Sequence, residues 1–95
     1  MIKSQLIDSI TDKHDLSRRQ AEGVVNNIFD LMKDALIKGE RIEFRGFGSF
    51  NLNDYEGYVG RNPKTGEQTK IGPKRRVRFR YSEQLFQRLN EDLDA

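Results

Sequence analysis

The sequence predicts an α+β domain: two N-terminal helices, a three-stranded antiparallel sheet with a long β-hairpin arm, and a short C-terminal helix, assembled as a dimer. Three observations predict it. Apolar residues recur at helical spacing up to residue 39 and alternate with polar ones from residue 41 onward. A chain of 95 residues without cysteine has neither disulfides nor thiolate metal sites to supplement its small core, which leaves a second copy as the usual supplement.

Leu6, Ile7 and Ile10 fall on one side of a helix from about Lys3 to Lys13, which His14, Asp15 and Leu16 interrupt. Ser17 and Gln20 have the spacing of a capping box and open a second helix, which Gly39 ends. Within it Ala21, Val24, Val25, Ile28, Met32, Ala35 and Leu36 keep helical spacing, and Phe29, Leu31 and Ile37 widen the apolar surface beyond one stripe. A helix apolar around so much of its circumference needs two partners: the sheet of its own chain and another copy of the protein. Residues 41–45 and 49–53 alternate as two strands linked by Gly46-Phe47-Gly48. From Arg75 to Tyr81 the alternation returns, with Val77, Phe79 and Tyr81 on one face and Arg76, Arg78 and Arg80 on the other. Leu85, Phe86 and Leu89 mark the closing helix, with Ser82 as its cap.

The segment 54–74 joins the second strand to the third and is too long for an ordinary link. Asn62-Pro63 favours a turn, and Gly66 can take positive φ, so the segment reads as one extended hairpin arm of roughly ten residues per strand. At about 3.3 Å per residue its tip stands about 30 Å from the body. The chain thus reads as one domain, with a helical dimerisation part at 1–39, the sheet and arm at 40–81, and a C-terminal helix with an acidic tail at 82–95.

Charge is segregated along the chain. Residues 1–53 carry eight basic and eight acidic side chains. Between 54 and 81, Arg61, Lys64, Lys70, Lys74, Arg75, Arg76, Arg78 and Arg80 face only Asp54, Glu56 and Glu67, a local +5. From Ser82 on, Arg88 stands against Glu83, Glu91, Asp92 and Asp94, a local −3. Concentrated cations imply an anionic partner, although a solvated strand face guarded by charge against edge pairing has the same composition. Arg76, Arg78 and Arg80 recur about 7 Å apart on one strand face, the scale of successive phosphates, and each guanidinium can fork one phosphate. Arg45 points to the polar side of the first strand, suited either to a narrow minor groove or to an ion pair with Glu43. Gly46 and Gly48 let backbone amides approach an anion and Ser49 adds a hydroxyl, but hairpin geometry explains the glycines equally well. Tyr55 and Tyr58 fit cross-strand packing better than base stacking.

Catalysis is not expected. No nucleophile has a base beside it, no pair of carboxylates is clustered, and GRNPKTG at 60–66 lacks the G-x-x-x-x-G-K-[ST] order of a phosphate loop. His14 is the only histidine, so neither a metal nor another cofactor is expected. No run is apolar enough to cross a bilayer and the N-terminus is not laid out as a signal peptide, which makes the cytoplasm the expected location.

RIEFRGFGSF at 41–50, GRNPKTG at 60–66, Lys70-Ile71 and a basic third strand before a short helix together resemble the HU and integration host factor family of bacterial nucleoid proteins. The resemblance runs nearly end to end. It implies an intertwined homodimer or heterodimer that binds double-stranded DNA, with two arms in the minor groove that bend the duplex. It also implies roles in nucleoid compaction and in assembling recombination, replication or transcription complexes. On this resemblance Pro63 is the apolar wedge between base steps, with Arg61, Asn62 and Lys64 around it. The DNA-binding set is then Lys3, Arg45, Gly46, Gly48, Ser49, Arg61, Asn62, Pro63, Lys64, Lys70, Lys74, Arg75, Arg76, Arg78 and Arg80. Tyr55 and Tyr58 stand where the family commonly has arginines, and Arg78 where it often has proline. Two other functions fit parts of the sequence: a dimer whose arm adds to a protein partner's sheet, and an RNA-binding strand face, which lacks the usual pair of stacking aromatics.

Overall fold

The computed structural model describes residues 1–93. Asp94, counted above in the acidic tail, lies outside the described residues. The chain divides into two compact units, residues 1–37 and the part from Lys38 onward.

The first unit is a helical hairpin of α1 (Lys3–His14) and α2 (Arg18–Ile37). The capping box at its second helix is formed as expected: the Gln20 amide donates to Ser17 Oγ at 3.1 Å, and the Ser17 amide donates to Gln20 Oε1 at 3.0 Å. Ile7, Ala21 and Val25 are buried between the helices, with Leu6, Ile10 and Leu16 packed against them. An Arg18–Asp8 ion pair spans the two helices on the outside. Beyond that stripe the surface stays apolar, with Leu31 62% and Ile37 78% exposed and Val24, Ile28 and Phe29 also open. The turn between the helices places Asp15 at φ 50°, ψ 40°, a left-handed cap without glycine. Relieving that conformation should stabilise the unit: Asp15→Gly is expected to raise unfolding stability by roughly 0.5–1 kcal/mol, after the added chain entropy of glycine is deducted. Urea midpoints at one fixed protein concentration check this.

The second unit begins with β1 (Ile42–Phe44) and β2 (Gly48–Tyr55), continues through β3 (Tyr58–Arg61), β4 (Gln68–Ile71) and β5 (Lys74–Tyr81), and ends with α3 (Glu83–Asn90). β1, β2 and β5 form an antiparallel sheet in that order, and β3 and β4 form a separate two-stranded ribbon. Gly39 precedes the sheet at φ 86°, as the end of the helical segment requires. Register puts Ile42 and Phe79 on either side of Phe50, and Val77 opposite Leu52. One face is therefore a continuous aromatic and aliphatic layer, in which the Phe79 ring lies 5.0 Å from Phe50 and 5.4 Å from Phe47. Tyr81 stacks on Phe86 at 5.5 Å, joining the sheet to α3. Ser82 caps α3 by accepting from the Leu85 amide at 3.1 Å, and its own amide donates to the Phe47 carbonyl at 2.9 Å. Among the described residues no side chain of this unit is fully buried.

The arm differs from the uniform hairpin expected from sequence. β2 and β5 stay paired out to Tyr55 opposite Lys74, and the ladder then breaks at Glu56-Gly57 on one strand and Gly72-Pro73 on the other. Pro73 has no amide to donate. The strands also crowd at this point, since a Cβ on Gly57 would meet the Ile71 carbonyl at 2.7 Å and the Pro73 nitrogen at 3.1 Å. Pairing resumes with Tyr58 opposite Ile71 and ends with Arg61 opposite Gln68, a ribbon of four residues per strand.

Candidate nucleic-acid interface

Strand alternation sorts the cations of β5. Lys74, Arg76, Arg78 and Arg80 share one face, while Arg75 falls with Val77 and Phe79 on the other. Opposite the first set β2 places Tyr55, Asn53, Asn51 and Ser49 in turn. The neighbouring row thus consists of amides and hydroxyls, and Asn51 Nδ2 donates to Ser49 Oγ at 2.9 Å. Among the described residues, no carboxylate lies within ion-pair distance of Lys74, Arg76, Arg78 or Arg80. The result is a flat strip of unneutralised positive charge bordered by hydrogen-bonding groups, which suits a run of phosphates. Asn51 and Asn53 were not singled out from the sequence. Their signal was available in the alternation of the second strand, which places them on the polar side.

Arg75 is engaged differently. Its Nε donates to Asp54 Oδ1 at 2.7 Å and its Nη2 to Asp54 Oδ2 at 3.3 Å, a two-pronged pair across the β2–β5 ladder. The hydrogen bond from Arg75, backed by its charge, holds the Asp54 carboxyl below the ordinary carboxylate range, and the same bond raises Arg75. One residue further, the Arg76 guanidinium carbon lies 5.3 Å from the centre of the Tyr55 ring. Tyr55 therefore makes a cross-strand contact, with Arg76, and Tyr58 stands in register with Ile71.

At the other end of the sheet Arg45 occupies the β1–β2 turn and shares a shallow cleft with Glu43, Gly46, Gly48, Ser49, Arg80 and Ser82. Glu43 is paired with Arg41 at 3.5 Å, which leaves Arg45 outside that ion pair. Gly46 takes φ 83°, and Gly48 lies against the backbone of Arg80 and the ring of Phe79. Hairpin geometry accounts for both glycines by itself.

The tip of the arm is closed by its own backbone. The Asn62 amide donates to the Glu67 carbonyl at 2.9 Å and the Gly66 amide to the Asn62 carbonyl at 2.7 Å, with Gly66 at φ 72°. Asn62 Oδ1 accepts from the Lys64 amide at 2.9 Å, bridging over Pro63. The proline ring stands exposed at the apex, between Arg61 at the end of β3 and Lys64 in the turn, with Lys70 on β4 behind. Lys3 opens α1 in the first unit, apart in sequence from all of these.

A cationic strand face that continues into a thin ribbon with a proline at its apex defines a protein that grips an extended polyanion, the class of nucleic-acid-binding proteins. Among the described residues no helix is long and apolar enough to cross a membrane. The chain belongs to the bacterial DNA-binding protein family, whose model matches residues 1–90. It is similar to integration host factor subunit beta of Colwellia psychrerythraea, 45% identical over 91 residues that cover 95% of this chain and 96% of that protein. It also matches integration host factor subunit alpha of an Anaeromyxobacter species, 39% identical over 93 residues and covering 98% and 82%. In three dimensions it resembles an Anabaena HU solved in a cocrystal with DNA, with a TM-score of 0.79 and 28% identity over 94% of this chain and 97% of that one. The family is one of DNA-binding proteins and not of enzymes.

Proposed function

We propose that the chain is an architectural DNA-binding protein, a dimer whose strand faces hold phosphates while its two arms follow the minor groove and bend the duplex at Pro63. The observation that carries this reading is the row Lys74, Arg76, Arg78 and Arg80, free of carboxylates among the described residues and bordered by Ser49, Asn51 and Asn53. The bound DNA of the Anabaena HU and the integration host factor relatives support the same partner. Support for the dimer comes from packing. Ile7, Ala21 and Val25 are the only buried hydrophobic side chains among the described residues, while both helices and sheet leave apolar faces open to a second copy. Since its relatives include alpha and beta subunits, the second copy is this chain or a related subunit. Phosphate contacts from Arg61, Lys64 and Lys70 extend the grip along the arm, Arg45 reaches the groove at the opposite end of the sheet, and Lys3 adds a contact from α1. A DNA partner supports a cytoplasmic location, on the nucleoid.

Salt titration tests the proposal. A dimer that sets six or more cations on phosphates should lose about a thousandfold or more in affinity for a short duplex between about 50 and about 200 mM salt. Fluorescence anisotropy of labelled DNA reads this directly. A log–log slope flatter than about −2 would leave too few phosphate contacts for the strand face to be the binding surface.

A further inference from the structure

Two adjacent arginines at the root of the arm are held in opposite ways. We infer that Tyr55 is a positioning residue that presents Arg76 to a DNA phosphate, whereas Asp54 withholds Arg75 from DNA. The inference rests on the DNA-binding reading above and deepens it to individual residues.

A guanidinium has a flat face and an edge, and phosphates are bound by the edge, through two parallel N–H donors. Arg76 has its guanidinium over the Tyr55 ring, 5.3 Å from the ring centre, on the same strip as Arg78 and Arg80. A cation resting over a ring gives up no N–H to an acceptor oxygen, so its donors stay available for a phosphate. Among the described residues no carboxylate competes for them. The Tyr55 backbone is set in the ladder opposite Lys74, which keeps its ring beside β5, and a cation resting on that ring has fewer rotamers open to it before DNA arrives. Less side-chain entropy is then lost when a phosphate binds. Arg75 shows the reverse arrangement. Its edge donors Nε and Nη2 are already given to Asp54 at 2.7 and 3.3 Å, on the other face of the sheet. A phosphate could take that fork only by breaking the pair, and the Nη donors that remain belong to a cation already neutralised by a carboxylate, on a strand position facing away from the strip. Its role is to tie β5 to β2 immediately before the ladder breaks at Gly57 and Pro73.

Duplex affinity measured across a salt series, for wild type and five variants, decides the matter. Tyr55→Leu is expected to weaken binding about two- to fivefold, whereas Tyr55→Phe, which keeps the ring, stays at the wild-type value. Arg76→Gln should lower the log–log salt slope by about one per chain, and Arg75→Gln should leave the slope unchanged. Adding Tyr55→Leu to Arg76→Gln should cost nothing further, because the ring then has no cation to hold. Wild-type affinity in Tyr55→Leu, an equal loss in Tyr55→Phe, an additional loss in the double variant, or a shallower slope in Arg75→Gln would each overturn the inference. The Arg75 and Arg76 slopes stand even where Tyr55→Leu fails to fold. A second measurement needs no DNA: nitrogen relaxation at the Arg76 side chain of the free protein should show order in wild type and Tyr55→Phe and mobility in Tyr55→Leu. Wild type that binds DNA with a mobile Arg76 would overturn the positioning alone, and wild type without affinity for the duplex would overturn the DNA-binding reading as well.

Discussion

Gly48→Ala is expected to remove about 3 kcal/mol of stability, the upper part of the range for overpacked sites, and to leave the sheet unit loosely folded. An added Cβ would stand 2.5 Å from the Arg80 carbonyl oxygen and 2.6 and 2.8 Å from two atoms of the Phe79 ring. Neither neighbour can give way cheaply. The Arg80 carbonyl belongs to the β2–β5 ladder, in which Ser49 is opposite Arg80 and Gly48 opposite Tyr81, so moving it disturbs pairing at the end of the sheet. The Phe79 ring is held between Phe47 and Phe50, so displacing it opens the aromatic layer that unites the sheet. The same residue also anchors the turn that presents Arg45 and receives the Ser82 amide on the Phe47 carbonyl. Urea unfolding followed by circular dichroism, at one protein concentration, measures the loss. A midpoint unchanged from wild type would mean that the ladder tolerates a shift that its register forbids.

The features legible in the sequence are those set by residues a few positions apart. Helix ends followed from the Ser17 and Gln20 box and from Gly39, because capping chemistry is local, and the structure forms both. The strand faces followed from period-two alternation, and the tip of the arm from Asn62, Pro63 and Gly66. Features created by register were not legible. The break in the arm was half legible: Gly57 and Gly72-Pro73 are local breakers of a strand, but their meeting across the ladder, where Gly57 crowds Ile71 and Pro73, is set by register. Arg75 and Arg76 look equivalent in a run of basic residues, yet Asp54, twenty-one positions earlier, claims one of them once β2 and β5 are aligned. Similarly, Glu43 could serve Arg41 or Arg45 by spacing alone, and it pairs with Arg41. Charge count therefore pointed to the basic strand, and register decided which of its cations stand outside ion pairs among the described residues.

Pro63→Ala should abolish most of the DNA bend while costing comparatively little affinity. The two quantities separate because they come from different parts of the molecule. In the proposed complex affinity is carried by cations on phosphates, and Lys74, Arg76, Arg78 and Arg80 on the sheet remain in place when the tip is changed. On the proposed reading the bend depends on separating a stacked base step, which costs a few kcal/mol, and a rigid ring without an N–H to leave unpaired would do this without losing side-chain entropy. The ring is well presented for it, because the Asn62 side chain and the Asn62–Gly66 and Asn62–Glu67 backbone bonds hold the loop around an exposed Pro63. Alanine keeps that loop but presents only a methyl group, too small to fill an opened step. End-to-end fluorescence transfer on a short duplex should show the two ends drawn together by wild type at saturation and nearly relaxed with Pro63→Ala, with affinity reduced by less than about tenfold. Equal bending by both proteins would move the wedge away from Pro63. A duplex left straight by saturating wild type would remove bending from the function altogether and leave only a cationic surface that coats DNA.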